Sequence, residues 1–213
     1  MKQIIILILL LSYSLYSKKL LLNNNDLDKI NSSLDRSAII KRLQAFQQMR
    51  TQVHTLPTKN KLAHVNAFFN RILPVNDATK YNSDDYWATR KEFLINGKGD
   101  CEDYAIAKYF TLVEVGIPKE KLYFAVVKVK GKTTNHMVLL YFETPKSVPW
   151  VLDNLSFKIL PLTQRTKLIP KFVFNEIGSY RLTPTGLGKK VKINWGKTNK
   201  WENLLTRIYS KNE

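Results

Sequence analysis

One cysteine, Cys101, in a chain of 213 residues rules out any intrachain disulfide, so the fold must be held by an apolar core. The hydrophobic share of 44% permits such a core. Some ~190 residues beyond the N-terminal segment suffice for one domain and are too few to require two. The cysteine stands in Gly97-Lys98-Gly99-Asp100-Cys101-Glu102-Asp103-Tyr104, at the expected start of a helix. A lone thiol there either serves chemistry or is a small buried apolar residue.

Residues 1–17 follow the order of a secretory signal: a basic start at Lys2, an apolar run from Ile4 to Leu11, then small residues at Ser12, Ser14 and Ser17. The apolar run is about half the ~20 residues that span a bilayer, so cleavage near Ser14 or Ser17 is expected over an uncleaved anchor. The mature protein is then expected outside the cytoplasm, in the periplasm of a Gram-negative source, with no stable membrane insertion. The formal net charge of +17 fits a lysine-rich solvated surface or attraction to acidic partners. The lysines are dispersed, one cysteine cannot build a zinc finger, and no aromatic RNA-binding consensus is present, which argues against a nucleic-acid partner.

Residues 18–34, rich in Asn and Asp, read as a flexible lead-in to a domain at 35–213. Asp35 or Ser37 is expected to cap a helix to about Val53, with Ile39, Leu43, Phe46 and Met49 on one face. A second helix from Thr58 carries Leu62, Val65, Phe68, Phe69 and Ile72 before Pro74 stops it. The polar stretch with Asp77, Asn82, Asp84 and Asp85 reads as a loop leading to Tyr86-Trp87, and Trp87 as either core or cleft wall. Phe93-Leu94-Ile95 reads as strand-like. The helix from Cys101 should bury Ala105, Ile106, Tyr109, Phe110 and Val113 and stop at Gly116 and Pro118. The period then changes from helix to strand. Leu122–Val129 and His136–Phe142 form an expected antiparallel hairpin, Trp150–Leu155 a third strand, 157–162 and 179–182 edge strands, and Trp201–Tyr209 a short final helix. The class is α+β.

Thiol, imidazole and carboxylate thus fall in order on helix, strand and strand as Cys101, His136 and Asp153. A nucleophilic triad needs those three groups together. A helix N-terminus and a protonated histidine both favour thiolate. Each residue also has a plain structural alternative: a buried cysteine, a packed strand histidine, an aspartate opening a turn. His54 and His64 read as surface or packing residues.

The acids beside the cysteine pull two ways. Asp100 and Asp103 resemble a capping box with Asp in the usual Glu place. Yet Asp100, Glu102 and Asp103 also raise the pKa of a neighbouring thiol, opposing the helix dipole. A divalent cation would resolve that conflict, and carboxylate oxygens suit calcium, although the twelve-residue EF-hand spacing is absent.

Gly99-Asp100-Cys101-Glu102-Asp103-Tyr104-Ala105-Ile106-Ala107-Lys108-Tyr109, then Asn135-His136-Met137-Val138 and Val151-Leu152-Asp153-Asn154, resemble the bacterial transglutaminase-like cysteine proteinase family, the LapG-like adhesin proteases among them. Tyr86-Trp87-Ala88-Thr89 and Glu92-Phe93 extend the resemblance upstream, with Arg90 standing where proline is expected. The resemblance implies a papain-like, transglutaminase-type core with N-terminal helices, a nucleophile-bearing helix and an antiparallel sheet. It further implies Cys101, His136 and Asp153 as catalytic residues, and calcium as cofactor held by Asp100 and Glu102 with Asp103 as a further candidate. The implied substrate is the N-terminal region of a large surface adhesin, whose cleavage controls biofilm attachment, and the implied inhibitor is an inner-membrane cyclic di-GMP receptor. Two other readings stay open: an acyl transferase using the same triad with a lysine amine as acceptor, and a non-catalytic, basic periplasmic binding module.

Overall fold

The computed structural model describes residues 20, 22–75, 86–196 and 198–209. The expected signal segment, and Asp77, Asn82, Asp84 and Asp85, lie outside the described residues. Among those residues, no helix is long and apolar enough to cross a membrane.

Within the Asn- and Asp-rich lead-in, read as flexible, residues 24–31 form a helix. Helix α1 (Asn24–Asn31) begins with a reciprocal capping box: Asn23 Oδ1 accepts from the Asp26 N–H at 2.9 Å, and the Asn23 N–H donates to Asp26 Oδ2 at 2.8 Å. Residues taken for loop formers are the cap. Ile30 packs with Ile39 and Ile95, and Lys91 Nζ reaches Asp26 Oδ2 at 2.9 Å, so this turn of helix is tied down.

Helices α2 (Arg36–Val53) and α3 (Thr58–Phe69) form where the three- to four-residue apolar spacing places them. Asp35 occupies the N-cap position of α2 without a side-chain capping bond, and Ser37 lies inside the helix. Phe46, Met49 and Val53 of α2 meet Leu62, Val65 and Phe69 of α3 in the main core. The strand-like 93–95 stretch is helical instead. It belongs to α4 (Arg90–Asn96), set by a Thr89–Glu92 capping box and ended by Gly97 at φ 66°. A left-handed C-cap of this kind favours glycine.

Arg90 is the first residue of α4, the position where proline is best tolerated in a helix. The arginine uses its side chain instead. It pairs with Glu114, which also pairs with Arg50, and its guanidinium lies 5.2 Å from the Phe46 ring centre. Short strands β1 (Leu73–Pro74) and β2 (Lys98–Gly99) pair in parallel just before helix α5 (Cys101–Glu114).

The remaining strands are β3 (Leu122–Val129), β4 (Asn135–Tyr141), β5 (Trp150–Asp153), β6 (Ser156–Pro161), β7 (Leu168–Phe174), β8 (Ser179–Thr183) and β9 (Gly186–Lys190). They make one sheet in the order β6-β5-β4-β3-β7-β8-β9, with every pair antiparallel. Alternate residues serve two cores. Phe124, Met137, Leu139 and Leu152 join the helices, whereas Ala125, Val127, Val138, Leu140 and Val151 join a second cluster. Helix α6 (Lys200–Tyr209) adds Trp201 to the first, edge-on to Phe124 with ring centres 5.1 Å apart. Burial of such a large side chain contributes roughly 2–3 kcal/mol.

Strand β7 sits beside the central β3, in a segment where the sequence predicts no strand. Pro170 is the reason it is hidden, since proline argues against an interior strand. Pairing of β3 with β7 shifts register between Val126 and Val127, which face Phe172 and Pro170. The proline is accommodated at this irregularity, where a ladder donor is not needed.

Candidate active site

Cys101 is the first residue of α5, with extended Asp100 at the N-cap. Gly99 makes the approach. A Cβ there would lie 2.3 Å from Asp103 Oδ2 and 2.7 Å from the Phe93 ring, so no larger residue fits. The expected Asp100–Asp103 capping box does not form through Asp100, whose side chain makes no capping bond. Asp103 is fully buried, and its Oδ1 accepts from the Ala88 N–H at 2.8 Å. That bond ties the 86–89 segment to the first turn of α5. From the other side, Arg207 of α6 donates to Trp87 O, to Tyr86 Oη and to Glu92 Oε2. Trp87 is a core residue, stacked on Phe174 with ring centres 6.2 Å apart.

The Cys101 thiol donates to Glu102 Oε2 at 2.8 Å. Burial pushes the thiol well above its ordinary range, the Glu102 carboxylate adds to this by charge and hydrogen bond, and Asp100 adds a little more. The Met137 backbone N–H opposes them by donating to the sulfur. Surrounded by protein groups alone, the sulfur is held as thiol, against the helix-terminus expectation of a thiolate.

The Met137 contact places the sulfur one residue along β4 from His136. His136 is nearly buried, and its Nε2 lies 2.8 Å from Oδ1 of the fully buried Asp153. Opposite a carboxylate that nitrogen is the donor, which leaves Nδ1 as the acceptor nitrogen of the neutral ring. Burial acts to raise the Asp153 pKa. The His136 hydrogen bond and charge, the Leu155 N–H at 3.0 Å and the Arg165 charge outweigh it and lower the pKa to about 2. The register of β5 with β6 shifts between Val151 and Asp153, a type of irregularity that re-aims side chains.

Sequence reasoning missed two supports of this pair. Arg165, just after a short 3-10 turn, forms an ion pair with Asp153 Oδ2. Asn70, at the C-cap of α3, donates to Asp153 O at 2.7 Å and to Ser156 O at 2.9 Å, while buried Asn66 donates to Ser156 O at 2.9 Å. The legible signal was Asn66 and Asn70 spaced one helical turn apart on a face that otherwise carries Leu62, Val65 and Phe69.

The bacterial transglutaminase-like cysteine proteinase model matches residues 41–168, more than half of the sequence. The chain belongs to this family. Its structure is also similar to that of Legionella pneumophila LapG, solved calcium-bound, at 36% identity over 85% of this chain and 98% of that one, with a TM-score of 0.68. A second LapG structure and an EGTA-treated one agree at the same identity and TM-score, each covered over 96%. No curated protein is significantly similar. The α+β architecture of this proteinase is thus that of LapG, and the family supports cysteine protease chemistry.

Proposed function

We propose that this protein is a calcium-dependent cysteine endopeptidase of the periplasm that cuts the N-terminal region of a large surface adhesin and so controls biofilm attachment. The observation that carries the reading is the buried His136–Asp153 hydrogen bond set one residue from the amide that touches the Cys101 sulfur. A histidine so oriented has one nitrogen fixed and the other available as a base.

In the proposed reaction His136 Nδ1 takes the Cys101 proton and the sulfur attacks the scissile carbonyl, forming a tetrahedral adduct. Backbone N–H groups at the start of α5 face the developing oxyanion. The imidazolium returns the proton to the leaving amine, leaving a thioester. Water then gives its proton to His136, attacks the thioester and releases the acid, restoring the thiol. Asp153 keeps the imidazole in one tautomer throughout.

Fit to calcium is tested by the donors. Among the described residues no three His, Cys, Asp or Glu side chains converge as a ready metal cluster, and Asp103 is engaged by the Ala88 amide. Asp100 and Glu102 supply hard carboxylate oxygens on either side of the sulfur and raise the thiol pKa, which is a donor set and an electrostatic need that calcium suits. These two would hold the ion with loop carbonyls, Asp103 acting as a support. Bound calcium would supply positive charge beside the sulfur and offset both carboxylates. The calcium-bound form of LapG supports this reading.

Export rests on the signal-like residues 1–17. The proposed inhibitory partner is an inner-membrane cyclic di-GMP receptor. Incubation of the purified protein with an adhesin N-terminal fragment, in calcium and then in EGTA, tests reaction, substrate and metal together. A single cut located by mass spectrometry, lost in EGTA and in Cys101→Ala, is the expected result. A cross-linked product of higher mass would make it a transferase, and no product at all would leave a binding module.

A further inference from the structure

The register of the sheet carries one row of residues out past Cys101. Cys101, Val126 of β3 and Phe172 of β7 pack against the helix-side core that holds Met137 of β4, and Val126 is paired with both Met137 and Phe172. Side chains alternate along a strand, so the next row on that face lies two residues on. It consists of Asn135 of β4, Lys128 of β3 and Ile169 of β7, the last brought opposite Lys128 by the β3–β7 irregularity. All three are exposed, Ile169 at 52%. The row is thus a solvent-facing shelf next to Met137, whose amide touches the Cys101 sulfur.

Positive charge rims this shelf. Lys130 and Lys132 flank Gly131 in the β3–β4 turn, the Lys130 N–H donates to Lys167 O at 2.8 Å, and all three lysines are exposed like Lys128. No carboxylate of the surrounding strands answers them. Residues 122–175 contain only Glu143 and Asp153. Glu143 pairs with Lys121 at the opposite end of β4, and Asp153 is buried with His136 and Arg165. Among the described residues none of these four lysines is ion-paired. Like charge gathered at one tip repels itself, and an acidic partner would relieve that repulsion. We propose that Lys128, Lys130, Lys132 and Lys167 form a docking surface for an acidic stretch of the substrate that flanks the scissile bond. The inference rests on reading Cys101 as the nucleophile of a protease. A chain that reaches the sulfur beside Met137 continues onto the shelf, where its carboxylates meet the lysines and an apolar side chain can rest on Ile169. Such contacts lower KM and quicken encounter without assisting the bond-breaking step.

The test combines Lys128→Glu and Lys130→Glu in the full mature protein, assayed with calcium on the adhesin N-terminal fragment. Lys146→Glu, a charge reversal at an exposed lysine beyond the other end of β4, is the control. KM of the double variant is expected to rise about tenfold, as two exposed attractions become repulsions, with the loss in KM and not in kcat. The control should keep the wild-type KM. At about 0.5 M NaCl, where screening acts within about 4 Å, the difference should shrink to roughly threefold or less. A fragment with the Asp and Glu residues beside its cut changed to Asn and Gln should raise the wild-type KM by a similar factor, which probes the surface with the enzyme unaltered. Equal KM in wild type and double variant overturns the proposal, and so does a cut with no acidic residue beside it. Binding of wild type to phosphatidylglycerol vesicles that the double variant loses, with KM equal in both, would also overturn it and assign the lysines to a lipid surface. A wild type that cuts no fragment breaks the protease reading itself, and the docking surface falls with it.

Discussion

At the first turn of α5 charge works against the proposed nucleophile, whereas on β4 and β5 hydrogen bonds work for the proposed base. Cys101 has carboxylates on both sides, donates its proton to one of them, and gains help from a single amide. Asp153 has His136 and Leu155 on one oxygen, Arg165 on the other, and its backbone carbonyl held by Asn70. The base half is preorganised by the fold alone, and such preorganisation costs no rearrangement when the reaction occurs. The nucleophile half needs compensating charge. On the proposed mechanism, control over activity belongs with the thiol, and an ion held by Asp100 and Glu102 would act there.

The largest effect is expected from Asp153→Asn, which strikes the prepared half. It should lower kcat by about 10^4-fold through loss of the histidine tautomer, measured on the cleaved fragment; a loss below tenfold would detach Asp153 from the chemistry. Arg165→Ala should cost about 2–3 kcal/mol in urea unfolding, because it leaves a buried carboxylate short of a partner. Acid titration sharpens the same point. The folded pKa of Asp153 is depressed, so its contribution is complete above the unfolded value near 3.8 and is lost as pH falls through about 2. It amounts to about 2 kcal/mol, and unfolding curves between pH 5 and 2 should be flatter in Asp153→Asn than in wild type. Glu102→Gln addresses the other half with the smallest effect. In EGTA its Cys101 should alkylate about tenfold faster than wild type, equivalent to one pKa unit. An unchanged rate would mean that burial alone holds the thiol.

Elements with a sustained period were legible in the sequence. Helices α2, α3 and α5 and the β3–β4 hairpin lie where apolar spacing predicts them. Helix α1 was hidden because Asn23 and Asp26, which read as loop formers, bond to each other's backbone. Helix α4 has seven residues, too few to display a helical period. Strand β7 was masked by Pro170, which only the β3 register irregularity accommodates. In the site, the order of Cys101, His136 and Asp153 was readable because each side chain carries its chemistry in its type. Arg165 and Asn70 were not, since their roles depend on meeting one carboxylate and one carbonyl across intervening turns.

The most direct test of the central claim is the pH dependence of Cys101 alkylation by iodoacetamide, measured with calcium in wild type and in His136→Ala. The wild-type thiol is expected to titrate below the ordinary cysteine value of about 8.5 and to move clearly upward when His136 is removed. A thiol that titrates at or above that value in calcium, and does so equally in both proteins, would contradict it.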